Sequence, residues 1–168
     1  WMYFQRDRQP LPTVDPTNPA ATPPLEVAIA DGPGAPVRAL TDLGLRPNGL
    51  TWRPDGAALV FAADQAYRDE WTYGRGDLWT VTVEGHVTRL TRDMRYSLGQ
   101  PKYAPDGDRI AYVRRYATDW VIAERIGHGG PTDLMVLDPT SGTSVNVTAD
   151  WDLRPGSPRW SPDGQHLY

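Results

Sequence analysis

Few side chains in this 168-residue chain have the type and spacing to do covalent chemistry. The three histidines, His86, His128 and His166, have no ligand spacing, and cysteine is absent, so no metal site and no disulfide is expected. No serine lies in a Gly-x-Ser-x-Gly turn, so no catalytic residue is assigned. Gly127, Gly129 and Gly130 lack the strand–helix context of a phosphate loop, and no cofactor is expected. What remains is recognition chemistry. Arg125, His128, Asp150 and Arg154 are the candidate substrate contacts. An arginine can pair a peptide carboxylate bidentately, and an aspartate can hold an amine. For each of them, a salt bridge within the fold or plain solvation is the competing reading.

The elements that must position these residues are read from a repeat. Trp52-Arg53-Pro54-Asp55-Gly56, Tyr103-Ala104-Pro105-Asp106-Gly107 and Trp160-Ser161-Pro162-Asp163-Gly164 recur, with apolar residues resuming three or more places after each glycine. Proline presets φ, and glycine takes the left-handed position of a bulged hairpin. Each copy therefore reads as strand a, tight turn, strand b. A second pattern supplies strands c and d: Asp77–Val83 with Val87–Thr91, Asp133–Leu137 with Val145–Thr148, and Leu25–Ile29 with Val37–Thr41. Each d strand ends in threonine, at Thr41, Thr91 and Thr148. Four short strands per repeat of about 50 residues predict an all-β chain, a β-propeller fragment of about three four-stranded antiparallel blades. A sandwich is the alternative architecture.

The expected division is a partial blade over 1–41, blades over 42–91 and 92–148, and the start of another over 149–168. Trp1–Asp7 aligns with the b strand at Ala58–Asp64, and Tyr168 falls in another b strand. The chain is thus expected to be cut mid-blade at both ends, a segment of a longer polypeptide. The b–c connections, roughly 8–24, 65–76 and 116–132, are long and share one face of the disc, which marks that face as functional.

The Pro-Asp-Gly repeats resemble those of two propeller groups, TolB-like propellers and the N-terminal propeller of the prolyl oligopeptidase family. That family includes acylaminoacyl peptidases and dipeptidyl peptidases. Tyr67–Glu70 with Gly76–Trp79, and Thr148–Asp152 running into Gly156–Pro158, look more like the peptidases. The resemblance implies a non-catalytic propeller of a serine peptidase. It would gate and select peptide substrates for an α/β-hydrolase domain that this chain does not contain. A TolB-like protein- or peptide-binding module is the other reading.

Composition narrows the remaining classes. The net charge of -4 and the lack of a basic stripe argue against nucleic acid. No apolar run reaches the roughly 18 residues of a membrane span, and no signal peptide is present, so no membrane partner is expected. The compartment, cytoplasmic or periplasmic, and homo-oligomerisation stay open. Asn146-Val147-Thr148 matches a glycosylation sequon but lies in an expected strand, and Arg75-Gly76-Asp77 ends a loop and opens strand c.

Overall fold

The structure is a computed structural model that describes residues 25–64 and 75–168. It begins with a short antiparallel pair, β1 (Ala28–Ile29) and β2 (Arg38–Ala39). Two four-stranded antiparallel sheets follow, each a meander in chain order. The first is β3 (Asn48–Trp52), β4 (Ala58–Asp64), β5 (Gly76–Thr82) and β6 (Val87–Arg89). The second is β7 (Tyr96–Tyr103), β8 (Ile110–Tyr116), β9 (Thr132–Leu137) and β10 (Ser144–Asn146). A further hairpin opens at the Trp160–Leu167 bridge.

The hairpin turns form as local chemistry dictates. The aspartate carboxylates of Asp55, Asp106 and Asp163 accept the N–H two residues on, from Ala57, Asp108 and Gln165, at 2.9–3.0 Å. Gly56, Gly107 and Gly164 follow with φ of 73°, 79° and 68°, the left-handed region that glycine enters without a Cβ clash.

Burial distinguishes the architecture. Along β4, Leu59, Phe61 and Ala63 pack with Val27, Leu40, Leu45, Trp79 and Val81 toward the β1–β2 side. Val60 and Ala62 pack with Leu78, Leu98, Ile110, Tyr112, Met135 and Leu137 toward the second sheet. Val60 and Phe61, neighbours on opposite faces, are both 0% exposed. A two-layer sandwich would leave one face of this sheet in water. Here successive sheets stack face to face, each covering the one before, as β-propeller blades do. The fold is a β-propeller portion with two whole blades.

The b–c connection read as a long loop over 116–132 contains a short helix, α1 (Thr118–Ala123), and a 3-10 turn at Gly127–Gly129. The six helical residues include Val121 and Ile122, whose types favour strands, so nothing local announces the helix. Asp119 in the first turn suits the helix dipole and pairs with Arg75. The strand expected at 1–7, the connection 8–24 and most of 65–76 lie outside the described residues. No helix among the described residues is long and apolar enough to cross a membrane.

Candidate functional site

Each b strand runs from its hairpin turn toward the end face that carries the b–c connections. Asp64 closes β4 there. Aligning Phe61 with Tyr112 makes Arg115, on β8, its counterpart in the next blade. The two residues line one cleft of about 340 Å³, together with Asn48, Ser97, Gly99 and Gln100.

Two bulges in the inner strands shape this cleft. Pairing register shifts between Asn48 and Thr51 in β3, and between Gly99 and Lys102 in β7. The bulges place Gly49 (φ 67°) and Gln100 (φ 55°) in left-handed conformations. Glutamine has no intrinsic reason to adopt this geometry, so surrounding structure holds it there. The bulges stack, since a Cβ on Gly49 would sit 3.3 Å from Pro101 Cδ. The cleft wall is tight elsewhere too. Gly76 donates its N–H to Ser97 Oγ at 3.2 Å, and a Cβ on it would lie 2.6 Å from the Leu98 carbonyl oxygen.

Charges behind the cleft are consumed by the fold. Arg114 pairs with Asp133 at 2.7 Å and lies 4.5 Å from the Tyr96 ring centre; Tyr96 in turn stacks on Tyr116 with ring centres 5.0 Å apart. Arg89 reaches Asp77 at 2.5 Å. Burial pushes the Asp77 carboxyl upward, while hydrogen bonds from Arg89 and Thr91 oppose the shift. The strand-ending threonines are part of this scaffold. Thr41, Thr91 and Thr148 each accept, at 2.9 Å, the N–H of Val27, Leu78 or Leu134 on the paired c strand. At the cleft itself, Asp64 accepts the Arg75 N–H at 3.1 Å. Arg115 is exposed and makes no ion pair among the described residues.

The four residues singled out from the sequence lie elsewhere on the surface. Arg125 (φ 53°) ends the helical segment and His128 (φ 57°) sits in the 3-10 turn, both exposed and left-handed. Arg154 donates to the His128 carbonyl at 2.7 Å, so those two loops meet. Asp150 is exposed. None of the four lines the cleft. Asn48, Asp64, Ser97, Gln100 and Arg115 escaped the sequence reading; the aligned b strands carried the one usable signal, opposite charges at equivalent positions. A second, apolar cleft of about 880 Å³ is lined by Leu134, Val136, Val145, Trp151, Trp160 and Leu167. Its floor is the side of the second sheet that faces away from the first, which makes it a seam for stacking sheets rather than a polar recognition site.

No family model matches the chain. An uncharacterized protein of Agrobacterium fabrum is 28% identical over 129 residues, covering 73% of this chain and 39% of the relative. Among solved structures, one assigned to TolB from Agrobacterium tumefaciens matches with a TM-score of 0.62 and 24% identity, over 85% of this chain and 49% of that one. Oligogalacturonate lyase from Vibrio parahaemolyticus gives 0.54 and 14%, over 83% and 36%. Puromycin hydrolase gives 0.51 and 21%, over 79% and 19%. These likenesses, all under 25% identical, establish the β-propeller fold and nothing finer. The chain spans half or less of the length of each of these four proteins.

Proposed function

We propose that this chain is part of a propeller that works as a peptide- or protein-binding module, with the polar end-face cleft as its recognition site. The observation that carries this reading is the cleft itself: amides, a hydroxyl, a carboxylate and a guanidinium converge where two inner strands bulge. The size of a relative supports it as well. The 129 matched residues make up 39% of the Agrobacterium fabrum protein, which puts its length at about 330 residues, the length of about six such repeats. A propeller of that size leaves little chain for a catalytic domain.

The second reading is a gating propeller for an α/β-hydrolase domain of a serine peptidase, with Arg125, His128, Asp150 and Arg154 meeting the peptide. The fold likeness to puromycin hydrolase, of which this chain covers only 19%, leaves room for such a domain. One experiment separates the two. The full-length protein that contains this chain is treated with a fluorophosphonate probe and, in parallel, used to select from a random-peptide library. The binding-module reading expects no labelling, and enriched peptides that are lost on Gly99→Phe, which fills the cleft. Stoichiometric labelling of a serine would overturn it in favour of the peptidase.

A further inference from the structure

The first strands of successive sheets converge. β3 and β7 touch where Thr51 Oγ1 donates to the Pro101 carbonyl at 2.9 Å. The next hairpin joins them where Trp160 Nε1 donates to the Lys102 carbonyl at 3.1 Å. The fourth strands, β6 and β10, make no comparable approach. The free edges of the first strands therefore face the axis around which propeller blades are arranged. Charge is sorted along these strands. Residues 43–54, 94–105 and 153–162 contain no aspartate or glutamate, yet hold Arg46, Arg53, Arg95, Lys102, Arg154 and Arg159. The whole chain is the reverse, with 21 acidic against 17 basic residues. These cations come from three separate segments, so no run along the sequence displays them.

Lys102 shows where this charge goes. Tyr103 packs with the cluster between the two sheets, so its neighbour Lys102 leaves β7 on the opposite face. Lys102 Nζ nevertheless donates to Thr51 Oγ1 of β3 at 3.2 Å. β8 closes one side of β7, so the side chain returns around the free inner edge. The half-buried ammonium thus stands at the axis with one of its three donors used and no ion pair among the described residues. Arg159 holds the same repeat position on the next first strand; it is exposed and likewise forms no ion pair among the described residues. We propose that the axial channel binds a small oxyanion, a polycarboxylate or a phosphate, between Lys102 and Arg159. Like charges lining a narrow passage with low-dielectric walls focus a potential that draws in the opposite charge. The ammonium supplies a point charge, and the guanidinium supplies a fork that matches carboxylate and phosphate oxygens alike. The site lies past the β7 bulge from the polar cleft and goes beyond the binding-module reading, since peptide selection at the cleft can succeed or fail without it.

The test is calorimetry on the full-length protein that contains this chain, in low-salt buffer, with citrate and inorganic pyrophosphate as probes. At least one is expected to bind with millimolar or tighter affinity, and the tighter of the two tells a carboxylate site from a phosphate site. Lys102→Gln and Arg159→Gln should each weaken that binding at least about tenfold, the value of one charge-assisted contact. Lys102→Arg keeps the charge and should stay within about threefold of the wild type. Arg92→Gln removes an exposed cation just past the end of an outer strand and should change nothing. Neither probe binding at millimolar concentration overturns the proposal. So does full affinity surviving in Lys102→Gln or in Arg159→Gln. An equal loss in Arg92→Gln also overturns it and assigns the binding to overall surface charge. Urea unfolding checks that each variant is folded; if Lys102→Gln is not, Arg159→Gln, at an exposed position, decides alone.

Discussion

The Thr91 hydroxyl accepts the Leu78 N–H and donates to Asp77 Oδ1, both at 2.9 Å, so one side chain ties the start of a c strand to the end of its d strand. Thr91→Val keeps the shape and strips both bonds, leaving a buried N–H and a buried carboxylate each short of a partner. A loss of about 1–3 kcal/mol is expected in urea unfolding of the full-length protein, with Thr91→Ser losing less. Acid stability follows from a different residue. The Arg53 guanidinium beside Asp55 holds that carboxyl down to about 2, from an ordinary value of 3.8. A carboxylate lowered in the folded state contributes stability above pH 3.8 that disappears as pH falls toward 2. Asp77 runs the other way: raised by burial, it binds its proton more tightly in the folded state, so its own contribution falls as pH rises through its titration. Asp55→Asn should therefore flatten the loss of unfolding midpoint between pH 4 and pH 2, read by urea titration at each pH. An unchanged slope would assign the acid sensitivity to other carboxylates.

At the scale of strands and turns, legibility tracks how local the cause is. The Pro-Asp-Gly hairpins are readable because aspartate, glycine and the hydrogen bond between them sit within four residues. The strand-ending threonines are visible as a pattern, but their role is not, because the N–H they accept lies 13 or 14 residues away. Helix α1 is hidden because its packing, through the Arg75–Asp119 pair, comes from another blade. The β7 bulge is hidden because glutamine does not advertise a left-handed φ as glycine would. Two strand glycines give a direct test of the packing around the cleft. Gly76→Ala drives a methyl against the Leu98 carbonyl oxygen, a backbone atom that cannot step aside, and should cost about 1–3 kcal/mol. Gly99→Ala meets nothing within 4 Å and should change stability by less than about 0.5 kcal/mol. Matched denaturation curves of the two variants check both values; equal losses would mean that the blade seam at Gly76 yields to an added methyl group.

Across the whole molecule, stability is divided among seams rather than held in one core. The Phe61 cluster fills one side of the first sheet and the Ile110 cluster fills the other, with Val60 and Phe61 on opposite faces of a single strand. The stacking of sheets was readable from the repeat, since one blade cannot bury both of its faces alone. The cleft was not, because its wall joins residues about 50 positions apart, from two blades, and no single repeat contains it. This division sets how mutations should combine. Ile110 and Leu137 face each other across β8 and β9 in the same cluster, whereas Phe61 belongs to the other seam. Truncations in separate clusters should add, because neither cavity changes the surroundings of the other. Phe61→Leu with Ile110→Val should therefore sum to within about 0.5 kcal/mol in unfolding free energy. Ile110→Val with Leu137→Ala should depart from additivity by about 0.5 kcal/mol or more, because the two sites share one relaxing cavity. Double-mutant cycles on the full-length protein decide the matter. Strong coupling between Phe61 and Ile110 would mean that the two faces of the sheet respond as one core, which a stack of separately filled seams does not allow.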